Sequence, residues 1–365
     1  MPERGAPPKV PALQRRVLKA VSSLTTPFLP DDYLELINPL WSTRELRGKI
    51  MSIDRETDDA ATVVIKPGYE WEGHEPGQYL RIGVEIEGVK HWRAYSLTSE
   101  PDRPDGFISV TVKCVDEGQV SPYLVRRGRP GTIVSLGGVE GDFVLPEDPP
   151  DKLLFISAGS GITPIMSMLR SLGRNDEMND VVLLHSARDD ADVIFGDALR
   201  ELAAENDGFR VHEQHTRANG RMEPAHLDDL CPDWQERETF LSGPAEMLDA
   251  VEEHYDAHGC CERLHMERFQ PKLGLEGEEG EGGPIKFLKS DAETESDGSK
   301  PILVAGEDCG LDLPYGCREG ICHTCVGELK SGKVRDLRNG NVYGQEGENI
   351  RTCISAPEGP VEIEL

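Results

Sequence analysis

At 365 residues the chain exceeds one ordinary hydrophobic core, so two or three domains are expected. Its 67 acidic residues against 39 basic ones give a formal charge of -28, which opposes non-specific binding to nucleic acid. With 37% hydrophobic residues, a polar opening at Met1-Pro2-Glu3-Arg4 and no apolar run of membrane-spanning length, the sequence reads as a cytoplasmic protein without a secretory signal or a transmembrane segment of its own.

Residues 1–45 read as an extension ahead of the first domain. Apolar positions in Leu13–Leu24 fit a helix, and Pro27, Pro30 and Pro39 break the segment beyond it. Residues 46–150 are all-β in pattern: Ala61–Lys66, Gln78–Glu87, Phe107–Val115 and Thr132–Leu136 carry alternating or β-branched runs. Pro67-Gly68, Pro76-Gly77, Asp105-Gly106 and Pro130-Gly131 mark turns between them. Short strands at this spacing predict a small barrel.

Residues 151–270 alternate strand and helix. Leu153–Ala158 is an apolar strand, Gly159–Gly161 a tight turn, and Ile162, Ile165, Met166, Leu169 and Leu172 share a helical face that Gly173 is expected to cap. Val181–Leu184 and Phe240–Leu241 read as further strands. Phe195, Ala198, Leu199 and Leu202 mark the helix after the first, and Met247, Leu248, Val251 and Tyr255 the helix after the second. This order predicts a parallel sheet with helices on both faces. Residues 271–283 are a flexible acidic linker by composition. Residues 284–365, with strands expected at Ile285–Leu288 and Val361–Leu365, form the last domain.

Chemistry enters at Arg93-Ala94-Tyr95-Ser96. In isolation this could be a salt-bridged strand end. In context an arginine fork suits a phosphate, an aromatic a flat ring and a serine a ring nitrogen. Arg93 and Tyr95 would hold a flavin nucleotide, with Ser96 near the reactive flavin N5. Gly118-Gln119-Val120-Ser121 would feed a short helix from Ser121 to Leu124 and turn N–H groups toward an anion. Gly118 and Ser121 are thus read as the second half of a pyrophosphate clamp, which implies FAD.

Gly159, Gly161 and Thr163 lie in a strand–turn–helix that would receive the pyrophosphate of a nicotinamide nucleotide. Pro164 stands where the G-x-G-x-x-G fingerprint has its third glycine. Ser242-Gly243-Pro244 repeats the device at a later strand end, where a nicotinamide could meet the flavin, with Pro244 expected at the first helical position. Arg188 follows the second strand of this sheet and suits the 2′-phosphate of NADPH. The alternatives are NADH, or a surface arginine paired with Asp189, Asp190 or Asp192.

Near the C-terminus Cys317, Cys322 and Cys325 stand in C-x4-C-x2-C spacing, and Cys353 lies farther on. This is the spacing of a plant-type [2Fe–2S] site, and soft thiolates suit iron. A structural zinc site is the rival, although zinc ribbons more often pair two C-x2-C units. The other five cysteines are irregularly spaced and describe no disulfide scaffold; Cys309 reads as a small buried hydrophobe outside the cluster.

With these motifs in place, residues 46–365 resemble the ferredoxin–NADP reductase superfamily fused to a C-terminal plant-type ferredoxin. The resemblance implies a β-barrel FAD domain, an α/β nucleotide domain and a β-grasp (α+β) [2Fe–2S] domain. It also implies catalytic parts for Tyr95, Ser96 and Ser242; many relatives carry cysteine where Ser242 stands. Glu267-Arg268-Phe269 is similar to the family's segment after the last strand of the nucleotide domain, where Phe269 would approach the flavin. More narrowly, Thr25–Gly48 resembles the N-terminal region of actinobacterial reductases serving fatty-acyl desaturases. That implies a membrane-bound di-iron desaturase or hydroxylase as electron acceptor. Oxygenase reductase components are the alternative. A self-contained oxygenase would need iron ligands of its own, and His254, His258, Glu262 and His265 read instead as surface residues at the end of the nucleotide domain. A non-catalytic scaffold is the remaining class.

Overall fold

The computed structural model describes residues 38–42, 45–115, 118–269, 280–311, 313–315, 320 and 324–365. The helix expected at Leu13–Leu24 and residues 271–279 of the acidic linker lie outside this set. The chain divides into two compact units, one holding residues up to Lys90 with Tyr95–Glu267, the other His91–Ala94 with Arg268–Leu365.

β-Branched runs build the antiparallel strands β1 (Arg47–Arg55), β2 (Ala60–Pro67), β3 (Tyr79–Ile86), β4 (Val89–Ser96), β5 (Ile108–Lys113) and β6 (Ile133–Glu140). They form one sheet in the order β4-β3-β6-β1-β2-β5. Ile50, Val63, Ile65, Leu80, Ile82, Val110 and Val134 fill its interior. The sequence pattern overlooked β1, whose polar residues break the alternation, whereas Arg93–Ser96, read as a possible strand end, does close β4. The helix expected from Ser121 is a short turn, Val120–Pro122, that widens into a π turn over Tyr123–Arg127.

The strand–helix alternation yields a parallel sheet of β7 (Lys152–Ala158), β8 (Asp180–Ala187), β9 (Phe209–His215), β10 (Glu238–Ser242) and β11 (Leu264–Glu267), ordered β11-β10-β7-β8-β9. Helix α1 (Ile162–Arg174) packs with Leu153, Phe155 and Phe240 on one face, and α3 (Ala245–Ala257) with Leu154, Ile156 and Leu241 on the other. Helix α2 (Gly196–Glu205) joins the first face. Gly173 does not cap α1 but lies inside it, where a Cβ would meet Leu202 of α2 at 3.1 Å; its small size serves helix packing. Pro244 likewise precedes α3 as its N-cap in an extended conformation (φ −62, ψ 146) and is not its first helical residue. The α1 face also takes in Phe143, which meets Phe240 edge-on at 5.6 Å, so barrel and parallel sheet share a core.

The second unit has a mixed sheet of β12 (Gly283–Phe287), β13 (Ala292–Ser296), β14 (Val326–Ser331), β17 (Asn349–Arg351) and β19 (Val361–Glu364) in the order β13-β12-β19-β14-β17. β12 and β19 pair in parallel. Helix α4 (Ile302–Asp308) contributes Ile302, Leu303 and Ala305 to its core, and β15 (Val334–Asp336), β16 (Val342–Tyr343) and β18 (Ser355–Pro357) make a small second sheet. Cys309 is exposed at the end of α4, its thiol 3.1 Å from the Gly306 carbonyl, and is not the buried residue expected. Among the described residues no helix is long and apolar enough to cross a membrane.

Candidate functional site

In the parallel sheet the chain runs outward from β7 to β8 and β9, then returns to the other side of β7 as β10. Loops leaving β7 and β10 therefore diverge, and the crevice at their C-terminal ends is where open α/β sheets bind ligands. The Gly159–Gly161 turn leaves β7 there, Ser242-Gly243-Pro244 leaves β10, and Gly161 packs directly on Ser242 with no room for a Cβ. Gly159 has φ +54, a conformation that glycine adopts freely. Thr163 is buried in the first turn of α1, its hydroxyl donating to the Ser160 carbonyl at 2.9 Å. Farther along α1, Ser167 donates to the Ser99 carbonyl at 3.0 Å and Arg170 to the Thr98 carbonyl at 2.6 Å. The helix that begins at the Gly159–Gly161 turn thus also fixes the barrel segment just beyond Ser96.

A row of polar side chains crosses the C-terminal edge in register: Glu267, Ser242, Ser157, His185 and Glu213. Ser157 and His185 Nδ1 are hydrogen-bonded at 2.8 Å, both fully buried, and burial pushes the imidazole down to about 4. Its charged form would lose hydration that the nearby Glu213 carboxylate only partly offsets. Burial, with a smaller contribution from Asp142, raises the Glu267 carboxyl to about 7. His185 Nε2, Ser186 Oγ and Ser242 Oγ are buried without hydrogen-bond partners. Buried polar atoms are ordinarily paired, so these three fit a ligand rich in amide, hydroxyl and phosphate groups.

Beside this edge lies a cavity of about 560 Å³ whose lining includes Gly159, Ser186, Arg188, Arg221, Pro244 and Lys113. Arg188 pairs with Asp192 and, across to the β1–β2 turn, with Asp59 at 3.2 Å. Asp189 and Asp190, the other carboxylates weighed as partners, are taken by Arg217 and Arg200. Neither Lys113 nor Asp59 was singled out from the sequence. They lie far from Arg188 in the chain, and no local spacing signals such a pairing.

Of the residues expected to hold the flavin, β4 carries Arg93, Tyr95 and Ser96, and strand alternation sets Arg93 and Tyr95 on one face and Ser96 on the other. The Arg93 guanidinium donates to the Trp92 carbonyl at 2.8 Å. Tyr95 packs against the barrel core and Ser96 is buried. At Gly118, the N–H donates to the Val115 carbonyl at 2.9 Å, and Ser121 Oγ receives the Val115 N–H at 3.1 Å, closing the turn on itself. Phe269 is half-buried in the second unit.

Of the four cysteines expected to hold the cluster, Cys317 and Cys322 lie outside the described residues. Cys325 and Cys353 are buried, and the Gly320 N–H points at Cys353 Sγ at 3.2 Å. An amide aimed at a buried sulfur stabilises a thiolate, so this half of the donor set fits a cluster with thiolate ligands. Arg351 holds the same loop through the Gly320 carbonyl at 2.7 Å.

Comparison with known proteins agrees with this geometry. Residues 49–145 match the oxidoreductase FAD-binding domain family, 155–253 the oxidoreductase NAD-binding domain and 286–358 the 2Fe-2S iron-sulfur cluster binding domain. An NADPH oxidoreductase of Mycobacterium tuberculosis is 45% identical over 350 residues, covering 95% of this chain and 91% of that one. A glycine betaine monooxygenase reductase subunit of Pseudomonas aeruginosa is 31% identical over 318 residues, covering 80% and 87%. Phthalate dioxygenase reductase shares the fold, with a TM-score of 0.56 at 21% identity over 88% of this chain and 98% of that one. The chain belongs to the ferredoxin–NADP reductase superfamily, its FAD-binding and NAD-binding domains followed by a C-terminal 2Fe-2S domain. It is an oxidoreductase whose three domains serve FAD, a nicotinamide nucleotide and a [2Fe–2S] cluster.

Proposed function

We propose that the protein is an NADPH-dependent reductase that delivers single electrons to a separate non-haem di-iron enzyme, a fatty-acyl desaturase. The observation that carries the nucleotide half is Arg188 at the rim of the cavity beside the Gly159–Gly161 turn. The 45% identical relative named an NADPH oxidoreductase supports it. Flavin, when bound, couples a two-electron hydride donor to one-electron acceptors.

The chain's own residues divide the remaining work. Gly159, Gly161 and Thr163 open the turn that takes the pyrophosphate, and Gly243 and Pro244 shape the facing loop. Ser242 offers its unpartnered hydroxyl to the nicotinamide. Arg93, Gly118 and Ser121 hold the flavin nucleotide's phosphates, Tyr95 lies along its ring, and Ser96 sits at its reactive edge. Cys317, Cys322, Cys325 and Cys353 ligate the cluster, with the Gly320 amide supporting Cys353.

The desaturase as acceptor rests on the N-terminal resemblance. Of that stretch, Asn38–Trp41 is an Asn-closed turn with Leu40 buried. A second reading, an oxygenase as acceptor, is favoured by relatives named as monooxygenase reductase components. Reconstitution decides between them. Purified protein, NADPH or NADH, and either a di-iron acyl desaturase or an oxygenase component are combined, and product is measured. Desaturated product with NADPH is the expected result; turnover with the oxygenase alone would replace the desaturase reading.

A further inference from the structure

Asp59 holds two cations that come from different domains. It sits in the β1–β2 turn of the barrel, its Oδ1 receiving Lys113 Nζ at 2.9 Å and Thr57 Oγ1 at 2.9 Å, while its Oδ2 faces Arg188 Nη2 at 3.2 Å. Lys113 ends β5 of the barrel and Arg188 follows β8 of the parallel sheet, yet both line the same cavity. Burial works to raise the Asp59 carboxyl, but hydrogen bonds from Lys113 and Thr57 and the charges of Lys113 and Arg188 hold it below the ordinary carboxylate range. It is therefore an anion between two cations at the rim of a nucleotide-sized cavity.

We propose that the Asp59 carboxylate stands in the place of the nucleotide's 2′-phosphate, and that Lys113 shares this phosphate with Arg188. The inference rests on the NADPH reading of the site and adds to it a specificity residue from the flavin-binding barrel. A phosphate monoester brings about −1.5 to −2 charges and three acceptor oxygens, against one charge and two oxygens for the carboxylate. Both cations therefore gain by the exchange. With Asp59 and Asp192 in place the cluster of Lys113 and Arg188 is already neutral, so the phosphate must turn Asp59 away. Its side chain is 30% exposed in an irregular turn, so solvent is open to it. Asp59 then competes with the phosphate, and a nucleotide spanning Lys113 and Arg188 ties the two domains together while its nicotinamide end lies toward Ser242.

The test uses the full-length holoprotein and two small probes, 2′,5′-ADP, which carries the 2′-phosphate, and 5′-AMP, which lacks it. Their dissociation constants are measured calorimetrically for wild type, Lys113→Met, Lys113→Arg and Asp59→Asn. Losing one charge-assisted contact in Lys113→Met should weaken 2′,5′-ADP relative to 5′-AMP by about tenfold, with Lys113→Arg restoring most of the difference. Asp59→Asn should tighten 2′,5′-ADP. A wild-type preference for 2′,5′-ADP that survives in Lys113→Met, or a loss of that preference in Asp59→Asn, overturns the exchange while leaving the NADPH reading intact. A wild type that binds both probes equally overturns the NADPH reading and the exchange with it.

Discussion

Gly161 lies so close to Ser242 that a Cβ on it would come within 2.1 Å of the Ser242 carbonyl oxygen and 2.8 Å of Gly243 N. Neither contact involves a flexible side chain, so an added methyl must push the two loops of the crevice apart. Gly161→Ala should raise KM for the nicotinamide nucleotide at least about tenfold, because displaced backbone loses its aim on the ligand, while flavin and iron contents stay near wild type. Gly159 differs: its φ is +54 but nothing lies within 4 Å of its missing Cβ. Gly159→Asn, a residue tolerant of that conformation, should be milder. Equal KM values for Gly161→Ala and wild type would show that the turn does not shape the site.

His185 makes stability fall in acid. Its folded value of about 4 lies below the ordinary 6.5, so the neutral ring stabilises the fold above pH 6.5 and that contribution drains away as pH falls from there through 4. The full cost is roughly 3 kcal/mol for a group this buried. His185→Gln keeps a partner for Ser157 and removes the titration. The difference in unfolding free energy between wild type and variant should shrink steadily from pH 7.5 to 4.5; a difference independent of pH contradicts a buried neutral imidazole.

Arg237 is a buried cation at the opposite end of the sheet. It pairs with Asp233 at 2.8 Å and Asp180 at 2.9 Å, and also donates to the carbonyls of Asp180 and Leu153. Arg237→Met removes these bonds, although Asp233 keeps Lys152 and Asp180 keeps Arg210, and should cost about 1–3 kcal/mol, read as a lower urea midpoint. A shift under about 1 kcal/mol would mean that water replaces the guanidinium freely.

Flavin retention tests Arg93. Its replacement by alanine removes a charge-assisted phosphate contact, so FAD should be lost on gel filtration while iron content holds. Wild-type retention would remove Arg93 from the clamp.

Iron content separates the cysteines. Cys353→Ser should lose most of the cluster and Cys309→Ala none, since Cys309 is an exposed helix-end residue and Cys353 a buried one with an amide aimed at its sulfur. Equal losses would overturn the ligand assignment.

The strand–turn–helix around Gly159 and the alternation of β7, α1 and β8 were legible because they are local: hydrophobic period and glycine position within a dozen residues dictate them. The same logic failed at β1, where Lys49, Ser52 and Asp54 break the apolar alternation. It also mistook Gly173 for a cap, because a glycine that admits α2 and a glycine that ends a helix look alike in sequence. The register row from Glu267 to Glu213, and the link from Asp59 to Arg188, join residues far apart in the chain. They emerge only when the sheet order and the barrel's placement are known.

Arg237 and its carboxylates brace the first residues of β7 and β8, whereas the glycine turn, Arg188 and Ser242 all leave the far ends of their strands. A seven-residue strand at about 3.3 Å per residue separates the two by roughly 20 Å. Changes that far apart and without shared partners act nearly additively. A variant chain that exchanges one nicotinamide donor for another by editing Arg188 and its neighbours therefore leaves the Arg237 brace at the other end of the strands untouched.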